Sequence, residues 1–321
     1  MIDTVPGLST SHAASAAPDI APGSLAAWVL ALRMRSLLIA ISPVIVAAAL
    51  VWQRTGQLDV RMALLILAAS IALQIITNLQ NDVGYTVRGG ERSGTRIGLP
   101  RATALGLLTT RQVRVAIVCA IGAAVLLGLP LVAARGMPVL LIGIASIVAA
   151  LAYMGGPRPI AYTPFGELVV FVFFGLLAVG GADYTLTGAV LPPVTALAAV
   201  AMGALAAAAL VVNNHRDIAH DEGVGRRTLP VVLGVGASRG LYAASLLLPF
   251  ALVPAMAWLA AGSWLLLPLA LLPLALRLVR DFGRCPPGLP FNAVLFRTFK
   301  LELAYAALLS AGAIATRWLA S

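Results

Sequence analysis

Two short polar clusters interrupt an otherwise apolar chain, and both are rich in carboxylate and amide side chains. They read NLQNDVGY at 78–85 and NNHRDIAHDE at 213–222. If each cluster continues the preceding helix, helical spacing brings two sets of polar residues onto common faces: Asn78, Asp82 and Tyr85; Asn214, Asp217 and Asp221. Carboxylates at a membrane boundary are costly unless they are paired or bind a cation. Mg²⁺ binds carboxylates, waters and phosphate oxygens, so the clusters indicate a divalent-cation site.

Arginines spaced by glycines follow both clusters. They are Arg88, Arg92, Arg96 and Arg101 after the first, and Arg226 and Arg227 after the second. Acidic residues alone would suggest calcium or a proton path. Together with guanidinium groups, which bind phosphate oxygens in pairs, they indicate a metal-bound diphosphate. A purely structural explanation is that the acidic residues cap helix ends and that the arginines orient the chain in the membrane. Two such clusters, each followed by Gly and Arg, favour a binding site over this explanation.

The composition places both clusters in a membrane protein. Of 321 residues, 60% are hydrophobic and 11% are charged, with a mean hydropathy of +0.97. Soluble domains carry about 25% charged residues, so a water-soluble globule is excluded, as are disordered and disulfide-framed secreted chains. The net charge of +10 lies between apolar runs. Membrane orientation therefore explains it better than nucleic-acid binding.

The apolar runs predict an all-α bundle of about nine transmembrane helices. The expected spans are 36–54, 62–80, 115–134, 137–155, 166–183, 190–212, 241–260, 264–280 and 301–318. Residues 1–23 have no basic segment before an apolar run, which favours a disordered tail over a signal peptide. Residues 24–321 are expected to form one domain.

The basic residues predict the orientation of these spans. With a cytoplasmic N-terminus, all but four of the 22 Lys and Arg residues lie on the cytoplasmic side. The exceptions are Arg54, Arg61, Arg135 and Arg317. This is a strong positive-inside bias, and an odd number of spans places the C-terminus outside. Long cytoplasmic loops at about 81–114, 213–239 and 281–300 then carry most of the polar chemistry, so the active site is expected to face the cytoplasm.

Longer stretches around the clusters resemble a known family. They are LRMRSLL at 32–38, NLQNDVGYTVRGGERSGTRIGLPRA at 78–102, PRPIAYTPFGELVVFVFFG at 157–175 and NNHRDIAHDEGVGRRTLPVVLG at 213–234. They are similar to motifs of the UbiA superfamily of intramembrane prenyltransferases. The last stretch resembles the branch that acts on 1,4-dihydroxy-2-naphthoate in menaquinone synthesis. The likeness runs over nearly the whole chain after the tail.

The resemblance implies a helical bundle around a central cavity in the bacterial cytoplasmic membrane. Its reaction would be Mg²⁺-dependent transfer from a polyprenyl diphosphate to 1,4-dihydroxy-2-naphthoate, with loss of carbon dioxide, to give demethylmenaquinone. Mg²⁺ would be held by Asp82, Asp217 and Asp221. Asn78, Asn81 and Asn214 would lie beside the metal, and Arg88, Arg96, Arg158 and Arg216 would be basic partners of the diphosphate, Arg96 among the catalytic residues.

One residue departs from the family pattern. The first motif usually carries a second Asp where this chain has Tyr85. One carboxylate is therefore missing from the first cluster, and Glu91 is a possible partial replacement. The departure supports the alternative that the chain prenylates a different aromatic acceptor. A secondary transporter is a remote alternative, because no inverted repeat is evident and the charges gather at one face, not at the midplane.

The prenyl cation formed in such a reaction needs shielding and an oriented acceptor. Aromatic rings stabilise cations, and the candidates are Tyr153, Tyr162, Phe171, Phe173 and Phe174. Glu167 would orient the phenolic acceptor or, alternatively, stabilise a helix N-terminus. His215 and His220 are spaced off a common helical face, which disfavours zinc. Lys300 and Glu302 are predicted to pair near the start of the last span.

Overall fold

The computed structural model describes residues 20–90, 98 and 100–320, so most of the predicted tail at 1–23 lies outside the described residues. Within these ranges the chain is helical and contains no strand. The helices are α1 Leu25–Leu32, α2 Leu37–Thr55, α3 Val60–Val87, α4 Thr110–Arg135, α5 Met137–Met154, α6 Gly166–Thr187, α7 Pro193–Arg216, α8 Ile218–Gly223, α9 Leu229–Leu259, α10 Leu272–Arg284 and α11 Phe291–Ala320. Short 3₁₀ segments occupy Met34–Ser36, Ile160–Tyr162 and Ser263–Leu271.

Eight of the described helices are long and apolar enough to cross a membrane. They are α2, α3, α4, α5, α6, α7, α9 and α11. The predicted all-α membrane bundle is thus confirmed, and the count differs from nine at one segment, 264–280. There the 3₁₀ segment contains Pro268, and α10 has Pro273 as its second residue. Proline cannot donate a helical hydrogen bond, which explains why this segment is divided between two helix types.

The helix termini bring the two polar clusters to the same end of the bundle. The Asp59 carboxylate caps α3 by accepting from the Met62 amide at 3.0 Å, and α3 then continues through the whole first cluster. In the second cluster α7 ends at Arg216, because Asp217 has φ −100° and ψ 13°. The short helix α8 follows. The expected continuous helical face therefore forms in the first cluster and is broken at Asp217 in the second.

Helix α7 lies at the centre of the bundle and packs against α6, α9 and α11. Most of its apolar stretch is buried and rich in alanine. Opposite it, α6 has π-helical geometry over Val172–Gly180. A Cβ atom at Gly203 would lie 2.5 Å from the Phe171 carbonyl oxygen and 3.2 Å from the Gly175 Cα. Glycine at 203 thus permits the close approach of two membrane helices.

The mutation Gly203→Ala should destabilise the bundle by about 1–3 kcal/mol, the usual cost of overpacking. The same change at Gly122 on α4, where a Cβ meets nothing within 4 Å, should stabilise the protein by about 0.5–1 kcal/mol through reduced chain entropy. Melting temperatures in detergent measure both effects. Equal melting temperatures for the two variants would contradict the close-approach argument.

A separate group of polar residues around Asp183 joins the helices at the opposite end of the bundle. The Arg54 guanidinium pairs with the buried Asp183 carboxylate at 2.6 Å, and Asp183 also accepts hydrogen bonds from Thr187 and Thr195. Arg135 donates to two backbone carbonyls of α6. These arginines belong to the set predicted to lie outside, and both lie at this end.

The predicted pair between Lys300 and Glu302 does not form. The Lys300 ammonium lies 4.5 Å from the centroid of the Phe296 ring, while both carboxylate oxygens of the buried Glu302 accept no hydrogen bond. The prediction was wrong because residues two apart on a helix point to different sides.

Candidate active site

A cavity of about 860 Å³ runs through the bundle from the end that carries both polar clusters. At that end the lining side chains include four arginines and no Asp or Glu among the described residues. These arginines are Arg33, Arg101, Arg216 and Arg226. Most of the remaining lining is aliphatic or aromatic and comes from α2 to α7 and α11. The cavity therefore suits an amphipathic ligand with an anionic head and an apolar tail.

In the first cluster, Asn78 and Asn81 line the cavity while Asp82 turns away from it. The Asn78 amide group donates to the Leu32 carbonyl oxygen at 2.8 Å and accepts from Ser36 and Gln74. It thereby ties α1 to α3. The Asn81 side-chain carbonyl oxygen is buried and has no hydrogen-bond partner. Of the two asparagines, Asn81 is the one with an oxygen available for a ligand.

The Asp82 carboxylate holds the loop that begins at residue 100. It accepts from the Ala102 and Thr103 amides, each at 2.9 Å, and from the Thr103 hydroxyl at 2.6 Å. Asp82 is 1% exposed. In this conformation both carboxylate oxygens are engaged by the loop that carries Arg101, and the assignment of Asp82 to a metal ion stays a prediction.

We expect Asp82→Ala to release this loop. Hydrogen bonds to a charged acceptor are worth about 1.5–3 kcal/mol each, so amide exchange at Ala102 and Thr103 should accelerate at least about tenfold. Hydrogen–deuterium exchange mass spectrometry on the purified protein measures this directly. The control is Asp59→Ala, which removes an exposed cap at the other end of α3. Unchanged exchange in the Asp82 variant would rule out the anchoring role.

In the second cluster, Arg216 reaches the cavity and Asp217 supports it. The Arg216 guanidinium forms two bonds to the Asp217 carboxylate, at 3.0 and 2.6 Å. It also donates to the side-chain oxygens of Asn213 and Asn292. Arg216 and Asp217 are each 3% exposed. The forked geometry fixes the guanidinium at the polar end of the cavity.

Next to this pair, Asp221 positions a second cavity arginine. The Asp221 carboxylate bonds to Arg226 Nη1 at 2.5 Å, and Arg226 Nε donates to the Ala161 carbonyl oxygen at 3.1 Å. Burial lowers the pKa of Arg226, but the neighbouring Tyr85 and Asp221 raise it above its ordinary value. The guanidinium therefore stays charged despite its burial.

Two of the cavity arginines lie over the ring of Tyr85. The Cζ atoms of Arg101 and Arg226 lie 4.5 and 5.1 Å from the centroid of its ring. Both distances are within the range of cation–π contact. Arg226 is also 5.6 Å from the Tyr162 ring. Burial raises the pKa of the Tyr162 hydroxyl, which keeps this ring neutral.

The predicted site residues divide into two groups. Those that line the cavity are Asn78, Asn81, Tyr153, Asn214 and Arg216. Those outside its lining are Asp82, Arg88, Arg158, Tyr162, Glu167, Asp217 and Asp221. The remaining one, Arg96, lies outside the described residues, as does Glu91. Within the second group, Glu167, Asp217 and Asp221 bond to residues that line the cavity.

Two of the arginines predicted to bind the diphosphate, Arg88 and Arg158, do not line the cavity. Arg88 is exposed, lies 5.3 Å from the Tyr162 ring centroid and donates to backbone carbonyls of Met154 and Gly156. Arg158 is also exposed and does not line the cavity. Their assignment to the diphosphate stays a prediction.

Glu167 and the aromatic residues lie beside the polar end. Glu167 is 4% exposed, and its Oε1 accepts from the Asn214 amide group at 2.8 Å. Its Oε2 and the Asn214 side-chain oxygen have no hydrogen-bond partner. Phe173 and Phe174 line the cavity. The hydrogen bond between Asn214 and Glu167 thus joins the second polar cluster directly to the start of α6.

Several functional candidates arise from the structure alone. Asn292 comes from α11, distant in sequence from both clusters, and it contacts Arg216. The sequence does not distinguish Asn292 from the other polar residues in the first part of the last helix, such as Arg297 and Lys300. Arg101 and Arg226 belong to the glycine-spaced arginines, but their spacing does not reveal that they meet at one ring. His215 lies among aromatic rings, with centroids 4.6 and 5.0 Å from those of Phe282 and Phe291.

The unpaired side-chain oxygens at the polar end of the cavity are of a chemical type that binds divalent cations. The side-chain oxygens of Asn81 and Asn214 are unpaired, and both residues line the cavity. The three predicted aspartates do not line the cavity and bond to arginines or to the 102–103 loop. Within the described ranges, no group of three His, Cys, Asp or Glu residues has metal-binding geometry. An ion that keeps waters and phosphate oxygens, as Mg²⁺ does, is compatible with this donor set.

Comparison with known proteins decides the family. The profile of the UbiA prenyltransferase family matches residues 40–285. The chain belongs to the UbiA prenyltransferase family. It is therefore a prenyltransferase of the membrane.

Relatives within the UbiA family cover most of the chain. The 1,4-dihydroxy-2-naphthoate octaprenyltransferase of Escherichia coli (strain K12) is 36% identical over 303 residues, 92% of this chain and 97% of the relative. The enzyme of that name from Mycobacterium tuberculosis is 38% identical over 261 residues, 79% of this chain and 85% of the relative. A UbiA homologue from Archaeoglobus fulgidus bound to GPP and Mg²⁺ superimposes with a TM-score of 0.64 at 16% identity, covering 90% of this chain and 99% of that one.

Proposed function

We propose that this UbiA-family enzyme transfers a polyprenyl group from polyprenyl diphosphate to 1,4-dihydroxy-2-naphthoate, with decarboxylation, to give demethylmenaquinol, the reduced form of demethylmenaquinone. The observation that carries the proposal is the cavity, which has four arginines at one end and an apolar lining beyond them. Its shape and polarity suit a diphosphate head and a prenyl tail. The relatives named for this reaction supply the acceptor.

The arginines would bind and stabilise the leaving diphosphate. Arg216 and Arg226 are both held rigidly, by Asp217 and Asp221 respectively, with their guanidinium groups at the cavity. Preorganised cations aimed at developing negative charge lower the barrier without reorganising during the reaction. The allylic C–O bond can then break, and its electron pair leaves with the diphosphate.

Magnesium would assist at the same end. We propose that the side-chain oxygens of Asn81 and Asn214 hold the ion against the diphosphate, and that the carboxylates of Asp82, Asp217 and Asp221 become its ligands where the ion replaces their present loop and arginine partners. When bound, Mg²⁺ would neutralise charge on the diphosphate oxygens. The proposal is supported by the unpaired oxygens of the two asparagines and by the Mg²⁺ in the Archaeoglobus fulgidus homologue.

The remaining cavity would protect the prenyl cation until the acceptor reacts. Tyr153, Phe173 and Phe174 line it and present aromatic faces, which stabilise cations. The apolar lining excludes water, which would otherwise hydrolyse the cation. The ring carbon of the acceptor that bears the carboxylate then bonds to the prenyl carbon. The acceptor carboxylate leaves as carbon dioxide, and the electron pair of its C–C bond returns to the ring.

The enzyme would work in the bacterial cytoplasmic membrane with its polar end towards the cytoplasm. Eight long apolar helices and the bacterial relatives support a membrane location. The cytoplasmic orientation rests on the distribution of basic residues described above. The polar end is then open to a water-soluble acceptor and a released diphosphate.

A prenyl-transfer assay on purified membranes tests this function. The reaction contains octaprenyl diphosphate and 1,4-dihydroxy-2-naphthoate, with either Mg²⁺ or EDTA, and the product is identified by mass spectrometry. We expect demethylmenaquinol, or the demethylmenaquinone that air oxidation forms from it, in Mg²⁺ and a loss of at least about a hundredfold in rate with EDTA, because metal-ion charge stabilisation is worth several kcal/mol.

Parallel reactions separate the alternatives. If 4-hydroxybenzoate is prenylated and 1,4-dihydroxy-2-naphthoate is not, the chain acts on a different aromatic acceptor, as the Tyr85 departure suggests. If no acceptor is prenylated by folded protein, the proposed function is wrong.

A further inference from the structure

Helix α10 carries three exposed arginines on one side and its buried residues on the other. The arginines have i, i+3 and i+7 spacing, which places them on one face of the helix. They are Arg277, Arg280 and Arg284. The buried residues are Ala275, Leu278 and Phe282. At about 3.6 residues per turn, the two sets point in nearly opposite directions. We refer to the three arginines as the α10 arginine face.

The protein leaves the charges of the α10 arginine face without partners. The helix contains one carboxylate, Asp281, and its Oδ2 pairs with the Arg297 guanidinium of α11 at 2.7 Å. Over the part of the chain that the structure describes, none of the three guanidinium groups on this face forms an ion pair or a hydrogen bond with another residue. Their partners are therefore water or membrane lipid.

The packing of Phe282 shows where along the bundle this face lies. The centroid of its ring is 4.6 Å from that of His215 in the second polar cluster and 4.9 Å from that of Phe291. Helix α10 therefore ends at the polar end of the bundle. From Arg277 to Arg284 the helix rises about 10 Å. The headgroup layer on each side of a bilayer is about 5–8 Å thick, so the three arginines span about the depth of one such layer.

Exposed leucines flank the α10 arginine face. Leu274 and Leu276 lie on α10 itself, and Leu289 lies in the connection to α11. Leucine side chains at a membrane boundary contact acyl chains, while the stem of an arginine lies along apolar surface and its guanidinium group stays at the level of the phosphates. Basic groups interleaved with exposed leucines fit an amphipathic anion better than a dissolved one.

We propose that the α10 arginine face binds the phosphate of an anionic phospholipid in the leaflet at the polar end of the bundle. Guanidinium groups bind phosphate oxygens in pairs, and basic surfaces on the cytoplasmic side of membrane proteins attract anionic headgroups. Membrane orientation requires basic residues on one side, but it does not require three of them on one helix face without an acidic partner. The inference is independent of the proposed function, because no residue of α10 lines the cavity.

Lipid titration followed by native mass spectrometry tests the proposal on the full chain, purified in detergent. The probes are dioleoyl phosphatidylglycerol, which is anionic, and dioleoyl phosphatidylcholine, which has the same acyl chains and phosphate but no net charge. We expect phosphatidylglycerol to bind at least about tenfold more tightly, because each arginine near an anionic lipid contributes about fivefold to affinity. A large excess of inorganic phosphate should leave phosphatidylglycerol bound, because a free phosphate makes no contact with the leucines.

Two matched double variants assign the binding to α10. Arg277→Gln/Arg280→Gln removes two charges of the face and should weaken phosphatidylglycerol binding at least about tenfold. Arg111→Gln/Arg114→Gln removes two exposed arginines of the same spacing from the start of α4, at the same end of the bundle, and should bind as wild type does. Melting temperatures without lipid should equal that of the wild type. If the first variant fails to fold, Arg280→Gln alone should bind about fivefold more weakly.

The opposite results would overturn the inference. Equal affinity for the two lipids, or unchanged affinity in the α10 variant, would exclude a headgroup site on α10. Equal losses in the α10 and α4 variants would indicate general attraction to a basic surface. Displacement by inorganic phosphate would make the face a site for a free anion. None of these results affects the proposed function, whose cavity is separate from this face.

Discussion

Replacement of Arg216 by Gln should reduce kcat/KM for prenyl transfer by about 10²–10³, the usual cost of removing one preorganised donor to developing negative charge. Arg216 lines the cavity, is 3% exposed and is held by two bonds to Asp217. Lys at this position should recover only part of the rate, because an ammonium group does not reproduce the forked geometry. Steady-state kinetics with purified protein measure the loss.

The stability of the Arg216 variant must be separated from its activity. The change Arg216→Gln would leave Asp217 as a buried carboxylate without its cation, and breaking a buried pair in this way costs about 3–5 kcal/mol. The double variant Arg216→Gln/Asp217→Asn removes both charges and should recover much of the melting temperature but none of the rate. Arg227→Gln should behave as wild type. A double variant with restored activity would show that Arg216 is structural.

Replacement of Glu167 by Leu should slow prenyl transfer about a hundredfold, because a small displacement of a positioning group near the reacting atoms has an effect of that size. Glu167 holds the Asn214 side chain by a 2.8 Å hydrogen bond, and Asn214 lines the cavity with an unpaired oxygen. Gln at 167 keeps an acceptor for this bond and should retain most of the rate. Single-turnover kinetics with saturating prenyl diphosphate measure the effect.

The Glu167 variants also show which role the carboxylate has. Glu222→Gln, at an exposed position on the same end of the bundle, is the matched control and should be unaffected. If Gln and Leu at 167 reduce the rate equally, the charge or the proton of Glu167 is required for the reaction, and its hydrogen bond with Asn214 is not. Wild-type rates for both the Gln and the Leu variant would mean that Glu167 only stabilises the N-terminus of its helix.

The sequence by itself determined the class of the protein and the place of its chemistry. Long apolar runs specify membrane helices because the bilayer requires about 20 such residues per span. The two polar clusters lie at the ends of such runs, so their arrival at one end of the bundle followed from span number alone. Helical spacing, a local property, also placed Asn78, Asp82 and Tyr85 correctly on α3.

The tertiary structure decided which of these residues contact one another. The Asp82 carboxylate accepts hydrogen bonds from the 102–103 loop, and the Arg216 guanidinium donates to Asn292 of the last helix. The ring of Tyr85 contacts Arg101 and Arg226, which come from two other segments. Each contact joins residues far apart in sequence, and periodicity carries information only about neighbours on one helix. The direction of a buried side chain depends on which donors and acceptors surround it, because most buried polar groups form hydrogen bonds. Packing of several helices supplies those partners, and one segment alone cannot specify them.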